Sequence, residues 1–469
     1  MYDVVVIGGG PGGYVAAIRA SQLDGKVALV EKHKLGGCCL NVGCIPTKAL
    51  VRSAEILENV KHAEQFGTVV DGYHFDLAKA MEWKDQVVAK QTGGVAQLMK
   101  AYGIDVFNGA GDTPEPGTVT VQLTEGGSEE LKAKNIIIAT GSLPKMPPLS
   151  DEAIAHTITS DDALELEEVP ERMLIIGGGV IAIEFACIYA AFGSEVTCIK
   201  RSPTILPPID NELARRMVPV LRRKNITIET GIYMEDIFEE NGKKVLTAKK
   251  NDEEVRFEAD VIMLGMGRVP FHGGIDLDAL GVEYDKWGIK VNSRMATNVP
   301  GIYAIGDVVG KTYLAPVASF EGITAIESIF GMDSEMDYTI VPGVVFSSPE
   351  AASVGLTEDE CKEQGLDYAV SKFPYGANGK AAAIGETDGI VKVIADKATD
   401  KLLGLHVLGP HASDLIHEGA IALKTGATAK DIATTIHAHP TLSEIVMEAA
   451  HGIHGDIIHQ APRRRRSRK

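Results

Sequence analysis

Cys39 and Cys44 lie five positions apart in the run Leu35-Gly36-Gly37-Cys38-Cys39-Leu40-Asn41-Val42-Gly43-Cys44-Ile45-Pro46-Thr47-Lys48. Two thiols this close in sequence can exchange electrons with a sulfur substrate. In an ideal helix five residues rise about 7.5 Å, whereas a disulfide spans only about 4.4–6.8 Å between Cα atoms. A Cys39–Cys44 link therefore requires a bent or irregular helix start, and Gly43 supplies the pliant backbone. A strained, locally closed link is readily reduced. Pairing of Cys38 with Cys44 is geometrically worse. The attacking species in such chemistry is a thiolate, and a free thiol near pKa ~8.5 is mostly protonated at neutral pH. A base is needed. His439, followed by Pro440 and with Glu444 five positions on, has the makings of a base and its orienting carboxylate. His437 lacks the Pro-Thr-Leu-Ser-Glu run that follows His439 and reads as structural.

The elements that must hold these groups appear twice. Asp3–Ile7 is a buried-strand run, followed by Gly8-Gly9-Gly10-Pro11-Gly12-Gly13 and a helix expected over Tyr14–Ser21. Met173–Ile176 is another, followed by Gly177-Gly178-Gly179-Val180-Ile181-Ala182 and a helix through Tyr189. Strand, Gly-rich turn and helix form the context in which a glycine signature binds a dinucleotide. The first glycine makes the turn, the second admits the pyrophosphate, and the third position packs helix on strand. The helix N-terminus then offers unpaired N–H groups to phosphate. On this reading Gly8, Gly10 and Gly13 serve one nucleotide, and Gly177, Gly179 and Ala182 the other. Glu31 lies 23 positions after Gly8 and ends the next strand, where a ribose-binding carboxylate is expected. The same offset from Gly177 lands on Lys200, followed by Arg201. Two cations there attract a 2′-phosphate, which gives NADP preference or dual use of NAD and NADP.

The expected fold class is α/β: two Rossmann-like dinucleotide-binding domains, one inserted in the other, plus a C-terminal α+β dimerisation domain. The boundaries read as 1–148 and 272–344 for the first nucleotide domain, 149–271 for the second, and 345–469 for an interface domain of strands and long helices. Pro144, Pro147 and Pro148 mark a linker. The 469 residues are 45% hydrophobic and 23% charged, as in an ordinary globular protein. Six scattered cysteines are no secreted disulfide framework, so a reducing cytoplasm is expected. Cys187 and Cys198 read as core packing, and Cys361 as a solvent-side or half-buried thiol. Met1-Tyr2-Asp3 leads straight into the first strand, leaving no room for a signal peptide. No apolar run reaches membrane-spanning length. The net charge is −18, and the last seven residues hold six cations, which leaves −24 on the rest. So acidic a body disfavours nucleic acid as a partner. The Arg463–Lys469 tail reads as a solvated segment or a dock for an acidic partner or nucleic acid. No residues are assigned to a metal.

In combination these motifs, with Ala139-Thr140-Gly141, Gly306-Asp307 and the run from His437 to Glu444, resemble the flavin-dependent class I pyridine nucleotide-disulfide oxidoreductases over nearly the whole chain. Within them the chain is most similar to the branch that oxidises dihydrolipoamide. The resemblance implies FAD on the first loop, with Glu31 at the adenosine ribose. Lys48 sits near the flavin and pairs with Glu184. Asp307 binds the ribityl chain, and Gly111, Thr140, Gly141, Ser142 and Ala315 line the same cofactor. The nicotinamide nucleotide takes the second loop, with Gly267 and Arg268 closing over it. Substrate dithiol, deprotonated by His439 of the neighbouring subunit of a homodimer, attacks Cys39, and Cys44 faces the flavin. The partner is a lipoyl-bearing protein of a 2-oxoacid dehydrogenase or glycine cleavage system. The His439–Pro440 bond is expected to be cis on the same ground.

The sequence departs from that branch at four places. Cys38 stands where threonine is common, and Lys200 where an acidic residue is typical. Pro316 occupies a spot that often holds histidine, and the Arg-rich tail is unusual. Lys200 and the Pro316 context favour an alternative, an NADPH-dependent reductase of glutathione or another low-molecular-weight disulfide. No cysteine follows Cys361, which counts against relatives with a C-terminal redox pair. A flavoprotein scaffold without turnover is a third reading, opposed by the presence of Cys39, Cys44 and His439.

Overall fold

The computed structural model describes residues 1–461, so the Arg463–Lys469 tail lies outside the described residues. Two compact units are formed, one from Met1–Val169 with Met263–Asp337, the other from Pro170–Ile262 with the chain from Tyr338 onward.

The first unit is built on β1 (Tyr2–Ile7), whose Val4, Val5 and Val6 are fully buried. A run buried on both faces suits the centre of a parallel sheet. β1 pairs in parallel with β2 (Val27–Glu31) on one side and with the strand Ser128–Ile138 on the other. The short strand Ile302–Ala304 adds in parallel to the latter, bringing Gly306 and Asp307 to the same end of the sheet as the first glycine turn. Between β1 and β2 runs α1 (Pro11–Gln22). It starts three residues before the expected Tyr14. Pro11 takes the first helical turn, where its fixed φ is pre-set and no N–H is lost. Gly12 and Gly13 are thus helical, and a Cβ on Gly13 would stand 1.9 Å from the carbonyl oxygen of Gly8. Ser142–Pro144 pairs antiparallel with Arg268–Pro270, so the first proline of the expected linker belongs to a two-stranded ribbon.

In the second unit the strands Arg172–Ile176, Glu195–Lys200 and Ile226–Thr230 pair in parallel. The helix after the second glycine turn runs Val180–Phe192. An antiparallel five-stranded sheet follows, ordered 343–345, 351–355, 402–408, 390–396, 368–374. Its helices are shorter than the sequence suggested: Glu358–Glu363 and Ala429–Thr434 have six residues each, Glu444–His451 eight, and only Ala412–Thr425 reaches fourteen. Cys361, expected to be solvent-side or half-buried, is fully buried on the first of these. A single helical turn held by the Thr357–Glu360 capping box seats its apolar side inward. Cys198 is buried as expected.

Lys392 is a cation among apolar neighbours in the strand Ile390–Asp396, and only 1% exposed. Its Nζ reaches Glu358 at 2.7 Å, Asp210 at 2.9 Å and Glu212 at 3.5 Å. Asp210 also caps the helix Asn211–Arg223 by accepting from the Glu212 N–H at 3.0 Å. Opposite Lys392 in the ladder, His406 is buried between Ser353 and the Leu356 carbonyl. Burial pushes its pKa down, so it stays neutral beside the cation. Burial would raise the Asp210 and Glu212 pKa values. The hydrogen bonds from Lys392 and Lys372 outweigh it, leaving Asp210 below the usual range and Glu212 at about 2. Removing the cation leaves the buried Asp210 carboxylate without its ammonium partner, while Glu212 keeps Lys372 and Arg216 and Glu358 keeps Lys362. Lys392→Met is expected to lower stability by about 3–5 kcal/mol, read from the urea midpoint at pH 7. Because the folded pKa values are depressed, the contribution is present above the ordinary carboxylate range. It is lost as pH falls toward 2, so the variant should show a flatter acid limb.

Candidate active site

The cysteine segment is seated directly on the first glycine turn. The Gly36 N–H donates to the Gly9 carbonyl at 2.8 Å. A Cβ on Gly37 would stand 2.6 Å from the Gly10 Cα, and Gly36 and Gly37 have positive φ of 96° and 56°. Neither position tolerates a side chain. The helix begun by α2 (Gly37–Asn41) then breaks at Val42–Gly43 and restarts as α3 (Cys44–Lys61). Gly43 is required there for close approach rather than for positive φ. A Cβ would lie 2.9 Å from the Cys38 carbonyl oxygen and 3.3 Å from its Sγ. The break brings the two cysteines together, with Cys39 hydrogen-bonded to Cys44.

The three thiols differ. Cys44 is exposed and opens α3, where the helix dipole favours negative charge. Lys48 lies one turn on along α3, on the same face. Cys39 is half-buried; its hydrogen bond to Cys44, then burial, drive its pKa far up, against the charge of Lys48. Cys38 is pushed up to about 11, mainly by burial and against the Arg268 charge. It is a protonated thiol, poorly suited to attack.

Behind this segment Arg268 donates from Nε to the Ser142 hydroxyl at 2.7 Å and from its terminal nitrogen to the Ser142 carbonyl at 2.8 Å. The Ser142 hydroxyl donates onward to Asp307 at 2.5 Å. Burial holds the Asp307 carboxyl above the usual range, against the pull of Ser142 and Arg268. Asp161 is raised in the same way beside Arg268. The sequence reading did not single it out, since nothing in its spacing links it to Cys38 or Arg268. Arg268, expected to close over the nicotinamide nucleotide, is thus bound to Ser142 and through it linked to Asp307, two residues expected on the other cofactor. Thr140 donates to the Phe271 carbonyl at 2.5 Å. Gly111 owes its identity to packing, because a Cβ would meet Ile7 at 3.0 Å and Val30 at 3.2 Å. Ala315 opens the helix Ala315–Ile329, and Pro316 is its second residue, a favoured place for proline.

Both nucleotide turns fit a dinucleotide. Gly10 and Gly179 cap their helices with extended backbone. A Cβ on Gly10 would touch only Gly37, at 3.8 Å, and one on Gly179 would meet nothing within 4 Å. The space before each helix N-terminus is open. The carboxylate of Glu31 accepts from the Gly9 N–H at 2.6 Å and from the His33 N–H at 2.8 Å. A Cβ on Gly9 would meet Glu31 and Leu35, each at 3.0 Å. Gly178 stands in the same relation to Lys200, at 2.8 Å, and Ile205, at 3.3 Å. The second turn therefore repeats the first with the charge reversed. Burial lowers the Lys200 pKa, and Arg201 stacks over the Tyr233 ring at 5.1 Å.

In the second unit His439 Nδ1 lies 2.9 Å from Glu444 Oε1, and the Thr441 N–H donates to Oε2 at 2.9 Å. The imidazole is 79% exposed, whereas the carboxylate is 19% exposed. Burial alone would raise the Glu444 pKa. The Thr441 N–H and His439 outweigh it and lower it, so Glu444 stays ionised. The His439–Pro440 bond is cis, as is Ser348–Pro349. His437 is held between Glu418, at 2.9 Å, and the Thr435 carbonyl, at 2.8 Å. Glu184, on the helix Val180–Phe192, accepts from the Phe346 N–H at 2.9 Å. Among the described residues no cluster of metal ligands occurs, and no helix is long and apolar enough to cross a membrane.

Comparison with known proteins agrees with this arrangement. Residues 2–322 match the model of the pyridine nucleotide-disulphide oxidoreductase family, and residues 341–450 match that family's dimerisation domain. The chain is 44% identical over 469 residues to a dihydrolipoyl dehydrogenase of Bacillus subtilis (strain 168), covering 98% of this chain and 99% of the relative. It is 42% identical over 462 residues to the mitochondrial dihydrolipoyl dehydrogenase of Pisum sativum (97% and 92%). It is 43% identical over 453 residues to a leghemoglobin reductase of Glycine max (96% and 87%). With a cysteine pair seated on one of two nucleotide turns and the first match spanning both turns, the chain belongs to the pyridine nucleotide-disulphide oxidoreductase family.

Proposed function

We propose that this chain oxidises protein-bound dihydrolipoyl groups and passes the electrons to a pyridine nucleotide. The observation that carries the reading is the hydrogen-bonded Cys39–Cys44 pair, seated by Gly37 on the first glycine turn. The identity to dihydrolipoyl dehydrogenases over nearly the whole chain supports it. FAD fits the first turn, with Gly8, Gly10, Gly13 and Glu31 at its adenosine end and Asp307 with Thr140, Gly141 and Ser142 along its length. When bound there, the flavin supplies the two-electron relay between dithiol and nicotinamide. The second turn holds the nicotinamide nucleotide.

His439, oriented and charge-balanced by Glu444, takes a proton from one substrate thiol. The resulting thiolate attacks the Cys39 sulfur of the oxidised pair and displaces Cys44 as a thiolate. The second substrate thiol then displaces Cys39, which leaves with the proton. Two substrate S–H groups become one disulfide, and the enzyme disulfide becomes two sulfurs at the reduced level. Cys44, at the positive end of α3 and near Lys48, carries the negative charge. Glu184 is the proposed counter-charge of Lys48. The match to the dimerisation domain supports a homodimer in which His439 serves the cysteines of the neighbouring subunit. The cytoplasm is the proposed location. The partner is a lipoyl-bearing protein of a 2-oxoacid dehydrogenase or glycine cleavage system.

The charge reversal between Glu31 and Lys200 supports NADP preference or dual use, because a 2′-phosphate finds Lys200 and Arg201 where a ribose would meet a carboxylate. The same feature favours the second reading, an NADPH-dependent reductase of a low-molecular-weight disulfide. Assays of dihydrolipoamide and of glutathione disulfide, each with both coenzymes, separate the two readings.

Cys39→Ser and Cys44→Ser are each expected to abolish dihydrolipoamide oxidation; wild-type turnover in either variant would refute the mechanism. Cys38→Thr should stay within about tenfold of the unaltered enzyme, as its protonated thiol takes no part. His439→Gln should lower kcat/KM for dihydrolipoamide by about 10²–10⁴-fold and remove the rise of rate with pH, the usual worth of a positioned base. Lys200→Glu should move the kcat/KM ratio toward NAD by about tenfold or more, the worth of one charge-assisted contact. A hundredfold NAD preference in the unaltered protein would defeat the phosphate reading.

A further inference from the structure

Asn41 closes α2, two residues after Cys39 and three before Cys44. Its side-chain amide turns back along the chain. Nδ2 donates to the Gly37 carbonyl at 2.9 Å and to the Leu35 carbonyl at 3.1 Å, with the Lys34 carbonyl at 3.5 Å. The first two carbonyls flank Gly36, whose own N–H is bonded to the Gly9 carbonyl. An amide carries two N–H donors, and both serve this bend. On the other side of the amide, Oδ1 is buried with no hydrogen-bond partner among the described residues. A buried acceptor without a donor costs free energy. Turning the amide over gives no relief, because the oxygen would then face the carbonyl oxygens. The bend therefore fixes the amide, and the chain carries the unpaired oxygen in order to keep it.

We propose that Asn41 is a positioning residue of the thiol exchange: its amide braces the Leu35–Gly37 bend and so sets Cys39 against Cys44. The proposal deepens the dihydrolipoyl reading above and rests on it. α2 has five residues, far fewer than a helix needs to hold itself in water. Its front is tied to the glycine turn through Gly36 and Gly37, and its rear ends at the Val42–Gly43 break. Asn41 stands at the rear and grips the front, so one side chain closes the short helix that carries Cys39. The Val42 N–H, bonded to the Cys38 carbonyl at 2.9 Å, continues that closure into the break. Asn41 acts through the backbone it holds, not on the sulfurs. With the brace gone, Cys39 samples positions away from Cys44. The local concentration of one sulfur at the other then falls, and the disulfide becomes easier to reduce.

Three variants of the flavin-loaded enzyme test this. Asn41→Asp keeps the shape and removes the donors, Asn41→Leu removes all polarity, and Asn41→Gln returns the donors on a longer stem. Equilibration with dithiothreitol, followed by titration of the thiols, reads the stability of the Cys39–Cys44 disulfide. In Asn41→Asp and Asn41→Leu the balance should shift toward the reduced pair by about tenfold, which is about 30 mV for two electrons. Asn41→Gln should recover part of that shift. In the first two variants kcat/KM for dihydrolipoamide should fall by about tenfold or more. Reduction of a quinone by reduced pyridine nucleotide takes electrons from the flavin without passing the cysteines, and should stay within about threefold. A disulfide of unaltered stability in Asn41→Asp and Asn41→Leu, or a parallel loss of the dithiol and quinone reactions, overturns the proposal. So does loss of bound flavin in all three variants, since Asn41 would then serve the fold as a whole. If the unaltered enzyme oxidises no dihydrolipoamide, it is the underlying functional reading that fails, and the dithiothreitol equilibrium still decides the role of Asn41.

Discussion

The chemistry of this chain depends on one close approach of backbone to backbone. Gly37 sits against Gly10 with no room for a Cβ of its own, and the Gly36 N–H is bonded to the Gly9 carbonyl. That contact fixes the cysteine segment on the nucleotide turn before any side chain is considered. Everything downstream inherits its position: the break at Gly43, the restart of the helix at Cys44, and the meeting of Cys39 with Cys44. A side chain at position 37 would lift the thiols off the turn even if every reactive residue were kept.

The second constraint is where charge is allowed to rest. The reduced pair is asymmetric because one sulfur starts a helix and the other is half-buried. The helix dipole favours charge on Cys44, while its hydrogen bond to Cys44 and then burial raise the Cys39 pKa against the charge of Lys48. Asp307 and Asp161 are buried beside a single cation, Arg268, and both are held above the normal carboxylate range. Cys38 lies in the field of the same groups and is kept neutral. A third thiol one residue from a redox pair would be a hazard if it ionised. Burial among carboxylates is what makes it harmless.

Short-range signals were the legible part of the sequence. The glycine turns, the ends of the strands at Glu31 and Lys200, and the His439–Glu444 pair are all set by neighbours within a few tens of residues, and spacing exposes them. The start of α1 was misplaced because Gly12 and Gly13 look like breakers; they are helical because the sheet needs their missing side chains. Cys361 was misjudged because a short capped helix gives no periodicity from which to read burial. Asp161 near Arg268 and Lys392 with Asp210 carry no local mark, since each pairing is made by the fold across long stretches of chain. Glu448 is the exception that could have been found. It follows Glu444 at the helical interval of four, and the histidine it holds lies only eleven residues on.

The two nucleotide turns show what backbone and side chain each decide. Gly9 with Glu31 and Leu35, and Gly178 with Lys200 and Ile205, have the same steric relation within their own units. The backbone therefore sets where a dinucleotide lies in both, and leaves the group at the ribose free to vary. In the first turn that group is a carboxylate, already bonded to the Gly9 N–H and so fixed as an acceptor. In the second it is an ammonium, which cannot accept from a backbone N–H at all. A ribose diol can be met by acceptor or donor, whereas a 2′-phosphate can be met only by a donor. Under the proposed assignment of the two turns, the reversal widens what the second can hold, while the first stays committed to a free ribose.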